Sequence, residues 1–72
     1  MSMPDPVSSM PPAAKLVYRE LADDGPLAWA VLRERTELPS STLGEALSRL
    51  QEAGVVERHT GTTPGVNLYA VC

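Results

Sequence analysis

Few residues in this chain can carry polar chemistry, and their spacing limits what that chemistry can be. One histidine, His59, and one cysteine, Cys72, are the whole supply of imidazole and thiol groups. A zinc cluster needs several such ligands close together and a disulfide needs two cysteines, so neither is expected, and the chain is read as carrying no cofactor. Ser40 and Ser41 have no Lys or His at a spacing that would activate a hydroxyl, and Cys72 has only His59 as a candidate base. No Gly-rich phosphate loop or carboxylate pair stands in a recognisable frame, so the reading is of a chain that is not an enzyme. What remains is suited to hydrogen bonding and charge contact. Ser40, Ser41, Thr42, Glu45, Ser48 and Arg49 form one run, and Arg58, His59 and Thr62 form another. Ser, Thr and Arg bond phosphates and base edges, and Glu accepts from an exocyclic amine.

The elements that must position these residues follow from periodicity. Residues 1–12 hold four of the seven prolines and no apolar period, which predicts a flexible N-terminal arm ahead of one domain over 13–72. Pro11 and Pro12 suit a helix entry, and Ala14, Val17, Tyr18 and Leu21 recur at i, i+3, i+4 and i+7. Asp23-Asp24-Gly25-Pro26 stops that first helix. Leu27 then falls in a short extended piece. Ala28 to Thr36 is compatible with a second helix, with Leu32 as its surest core position and Ala28 and Val31 beside it. Glu37-Leu38-Pro39-Ser40 interrupts the pattern. A third helix follows from about residue 40 to 53, capped by Ser40, Ser41 or a Thr42-x-x-Glu45 box. Leu43, Ala46, Leu47 and Leu50 form its inward stripe, and Gly54 is its left-handed stop.

Beyond Gly54 the period changes from helix to strand. Val55 to His59 and Val66 to Val71 are short Val-rich runs joined by the turn-forming segment 60–65, which predicts a hairpin. The fold class is therefore α+β: three helices, two of them in a helix-turn-helix, followed by a two-stranded hairpin.

The segments Gly25-Pro26-Leu27, Thr36-Glu37-Leu38-Pro39-Ser40-Ser41-Thr42-Leu43 and Ala46-Leu47-x-x-Leu50-x-x-Ala53-Gly54-Val55-Val56-Glu57-Arg58 resemble the winged helix-turn-helix of MarR-like and related archaeal transcriptional regulators. The resemblance covers about residues 13–71. It implies a DNA-binding regulator whose third helix enters the major groove while the wing, 58–65, rests on the backbone. The implied contacts are Ser40, Ser41, Thr42, Glu45, Ser48, Arg49, Arg58, His59 and Thr62, with double-stranded DNA as the partner. Many members of the family carry Arg or Lys on the outward face of the third helix, where this chain has only Arg49. Gly44 on that face would permit close approach. A homodimer on adjacent half-sites would have to use the first helix, the arm or the wing strand.

Charge bears on the same point. The net charge of −3 runs against a generic DNA binder, which needs a basic footprint. Five arginines, a single lysine (Lys15) and abundant acid resemble the composition of proteins from salt-loving archaea. No run approaches the roughly 20 apolar residues of a membrane span, and the expected location is the cytoplasm. A rival reading fits the acidity better. In it the winged helix is a protein-interaction module that uses Trp29 and the acidic face of the third helix. Trp29 either folds back on the first helix or the wing or stands exposed as an anchor. Arg33 and Glu37, four apart, are expected to form a surface ion pair, with a phosphate contact by Arg33 or Arg35 as the alternative.

Overall fold

In the computed structural model, which describes residues 5–60 and 66–72, the chain runs α1 (Asp5–Ser8), α2 (Pro12–Asp24), β1 (Leu27–Ala28), α3 (Trp29–Thr36), α4 (Ser40–Glu52), β2 (Val56–Thr60) and β3 (Asn67–Val71). The strands form one antiparallel sheet in the order β1-β3-β2. Helix α2 packs chiefly on α4, and the sheet closes the other side of the core.

Local chemistry explains each boundary. Pro12 takes the first position of α2, where its missing N–H leaves no bond unmade. At the other end the Gly25 N–H donates to the Leu21 carbonyl at 2.9 Å. A Cβ on Gly25 would collide with that same carbonyl oxygen, so the stop needs glycine. Helix α3 ends on Glu37, which adopts the left-handed region at φ 57. Thr36 stabilises this corner: its buried hydroxyl donates to the Leu32 carbonyl at 2.7 Å and accepts from the Leu38 N–H at 3.4 Å. Helix α4 ends through Gly54 at φ 74. The N–H groups of Gly54 and Val55 there donate to the carbonyls of Gln51 and Leu50.

The core is the set of stripes that periodicity identifies. Ala14, Val17 and Leu21 of α2 meet Leu43, Ala46, Leu47 and Leu50 of α4, with Leu32 of α3 wholly buried between them. Val56 and Tyr69 extend this core into the sheet. Each fully buried leucine contributes about 1.5–3 kcal/mol.

Several local features differ from the sequence expectations. Within the segment expected as an arm, α1 is one helical turn and Val7 is fully buried in the core. The Met10 N–H also donates to the Val7 carbonyl at 3.0 Å. The expected two-stranded wing is present as β2 and β3, and Leu27 and Ala28 add a third strand to its sheet by pairing with Tyr69 and Leu68. The entry of α4 has no side-chain cap. Pro39 holds that position, and Glu45 turns to Arg49 instead of reaching back to the helix start. Val31 is exposed, because Leu32 alone points inward on that turn. Arg33 does not pair with Glu37. The bridging cation is Arg35, which donates to Asp24 at 2.8 Å and Glu20 at 3.4 Å and so ties α3 to α2. The Asp24 bond also raises the Arg35 pKa.

Candidate nucleic-acid interface

Burying Leu43, Ala46, Leu47 and Leu50 turns the opposite side of α4 to solvent. Ser41, Glu45, Ser48 and Glu52 recur there at i, i+4, i+7 and i+11, and all four are exposed. Two elements flank this strip. On one side the start of α2 approaches, and Thr42, Glu45 and Arg49 line a small cleft with Pro11, Ala13 and Ala14. On the other side lies Trp29. A Cβ on Gly44 would stand 3.5 Å from the Cη2 atom of its ring, an ordinary packing distance. The space that Gly44 offers is therefore filled by Trp29 of the same chain, and a ligand reaching that point of α4 meets indole.

The electrostatics of the strip are mixed. Arg49 donates to Glu45 at 3.0 Å, an exposed pair four residues apart. Such a pair contributes only a few tenths of a kcal/mol and exchanges readily with other partners. Ser40 is exposed and Thr42 half-buried in the first turn. Because the entry is uncapped by any side chain, the N–H groups of that turn are left to solvent or to an anion.

On the wing, Arg58 and His59 are both exposed, but neighbouring strand residues point to opposite faces. The register sets Arg58 directly opposite Tyr69, whose ring is buried, so Arg58 extends from the core side of the sheet. His59 sits opposite Leu68 on the outer face, with its Nε2 atom 3.2 Å from the Glu57 carboxylate. The structure therefore does not bring Arg58 and His59 together. Thr62 lies outside the described residues. Partial desolvation, and then the neighbouring Glu57 carboxylate, push the Cys72 thiol above its ordinary pKa, which keeps it a poor nucleophile at neutral pH.

From sequence, Arg33 or Arg35 is only an alternative phosphate contact, and Trp29 is either core packing or an anchor for a protein partner; in the structure Trp29 is half-buried against the core. Arg33 and Trp29 line one cleft beside the helix-turn-helix corner, with Ala30, Glu34, Glu37 and Leu38. Among the described residues Arg33 and Arg58 form no ion pair, nor do Lys15 and Arg19 of α2, whereas Arg35 and Arg49 are engaged.

Helix, strand, helix-turn-helix and wing in this order are the architecture of a winged helix. The chain matches no protein-family model and no curated protein. Among solved structures it is similar to the zinc-responsive MarR family member ZitR of Lactococcus lactis, with a TM-score of 0.80 over 89% of this chain and 18% sequence identity. The match takes in 44% of ZitR, so the chain spans less than half the length of that protein. The chain thus has a MarR-like winged-helix fold, of mixed α+β class. No helix among the described residues is long and apolar enough to cross a membrane.

Proposed function

We propose that this chain is a DNA-binding module of a transcriptional regulator, with α4 in the major groove and the β2–β3 wing on the backbone. The observation that carries the reading is the α4 strip. It stands clear of the core, begins at an uncapped helix N-terminus and offers Ser41 and Ser48 for hydrogen bonding. The likeness to ZitR supports it through the fold. Phosphates are met by the first-turn amides and by Arg49 and Arg58, with Ser40 and Thr42 flanking. Glu45, once parted from Arg49, accepts from cytosine. A single module buries little surface on DNA, so two copies on neighbouring half-sites would supply affinity that one lacks. Zinc responsiveness is not carried over from ZitR, because no three His, Cys, Asp or Glu side chains are grouped for a metal among the described residues.

Glu45 and Glu52 on the strip, together with the net charge of −3, favour a second reading as a protein-interaction module that presents an acidic helix. Backbone-amide NMR titration with a random-sequence duplex at low and high salt separates the two. The DNA reading expects salt-sensitive shifts clustered on residues 40–49 and 58–60. A chain that stays folded at low salt and gives no shifts there would sink it in favour of the protein-interaction reading.

A further inference from the structure

We infer that Trp29 is itself a DNA contact, the centre of a strip Arg33–Trp29–Arg58 that follows the sugar-phosphate backbone beside α4. The inference rests on the DNA reading and adds a contact line to it. Trp29 meets Gly44 through Cη2 and Cζ3 of its benzo ring, so the N–H edge of the indole is turned away from Gly44. The residue is only half-buried, at the margin of the exposed α4 strip. It also divides two clefts that share its side chain and Ala30. One runs to the helix-turn-helix corner and contains Arg33. The other runs to the wing and contains Tyr69, the residue directly opposite Arg58.

Arg33 shares the corner cleft with Trp29, Arg58 stands on β2 one strand beyond the Tyr69 of the wing cleft, and neither has an ion-pair partner among the described residues. This combination suits a polyanion with apolar sugars. The guanidinium groups meet phosphates, the indole covers a deoxyribose, and its N–H donates to a phosphate oxygen. Glu34 and Glu37 share the Arg33 cleft and oppose a phosphate there, so they hold affinity down.

Trp29 is the only tryptophan, so its emission in the unmodified protein reports on this surface. A random-sequence duplex is titrated in, binding is followed by anisotropy of labelled DNA, and quenching by acrylamide measures access to the indole. The expected result is a protected indole in the complex. Trp29→Phe should lower affinity about fivefold with an unchanged salt slope, because the lost contact is not ionic. Arg33→Gln and Arg58→Gln should each reduce the slope by about 1, and Arg35→Gln, whose guanidinium is held by Asp24 and Glu20, should leave it unchanged. Circular dichroism checks that each variant is folded. DNA binding with unaltered indole access, and with Trp29→Phe bound as tightly as the parent, overturns this inference and leaves the DNA reading standing. No binding of the folded parent at any salt overturns both.

Discussion

Arg49 and Glu45 hold each other at 3.0 Å across one turn of α4, so the cation expected to meet DNA is already partnered on the free protein. DNA must exchange a carboxylate for a phosphate there, and Glu45 repels the same phosphates. Neutralising the acid should therefore strengthen binding. Glu45→Gln is expected to raise affinity for random duplex by about three- to tenfold at low salt, and Arg49→Glu to reduce it by tenfold or more. Both are read by anisotropy of a labelled duplex. Equal affinities for Glu45→Gln and the parent would mean that α4 does not face the phosphates.

The small number of available cations sets the salt dependence. Arg33 and Arg58 lack ion-pair partners among the described residues, and Arg49 becomes available once Glu45 yields. Two or three neutralised phosphates per copy give a slope of log affinity against log salt of about −2 to −3. Titrations at four or five salt concentrations measure it. A slope steeper than about −6 would require a different contact surface, one that recruits Lys15 and Arg19 of α2.

Gly44 costs α4 helix stability without any steric need for glycine, since an added Cβ would meet Trp29 at an ordinary contact distance. Gly44→Ala should raise stability by about 1 kcal/mol, which in a domain of this size is a rise in melting temperature of roughly 4–8 °C. Gly44→Leu should displace the indole and shift its emission to the red. An unaltered melting temperature in the alanine variant would show that the Trp29–Gly44 contact is closer than the structure has it.

Glu37 is the matching case at the α3–α4 corner. It is not glycine, yet it sits at φ 57, where a Cβ crowds the carbonyl oxygen. Glu37→Gly should stabilise the protein by about 0.5–1 kcal/mol, measured as a higher urea midpoint with an unchanged m value. Destabilisation would mean that the Glu37 side chain makes a contact that outweighs its backbone strain.

These residues also mark how far the sequence alone is legible. Leu43, Ala46, Leu47 and Leu50 announce α4 because four apolar residues share one helical face, and Gly54 announces its end because the left-handed region favours glycine. Three features have no such one-dimensional signal. Leu27 and Ala28 are too short a run to declare a strand, and only pairing with β3 makes them one. The Arg35 bridge spans two helices, so the local i, i+4 rule selected Arg33 with Glu37 instead. Trp29 and Gly44 lie 15 positions apart, so nothing local in the sequence shows that the indole fills the space beside the glycine. For the site, Ser41, Glu45 and Ser48 could be read from the face opposite the leucine stripe. The place of Arg33 could not, because a cleft needs both of its walls.

Val7 gives the sharpest contrast between composition and packing. Its neighbours, Pro6 and the Pro11-Pro12 pair among them, mark the segment as an arm, yet its side chain is fully buried with α2 and α4 residues in the core. A small domain has little stability to spare, so one more buried aliphatic side chain is a sizeable share of the total. Val7→Ala should cost about 1–3 kcal/mol, a fall in melting temperature of roughly 5–15 °C. Val7→Thr, close in shape, should also destabilise, because the hydroxyl enters an apolar site. If the segment were a solvated arm, both variants would stay within about 0.5 kcal/mol of the parent. Thermal melts of the two variants beside the parent decide between these outcomes. The same melts bear on DNA binding, because α1 leads straight into Pro11, which lines the cleft shared with Glu45 and Arg49. Loosening Val7 should free that side of α4, so Val7→Ala should also change the amide shifts of residues 42–49 in the absence of DNA.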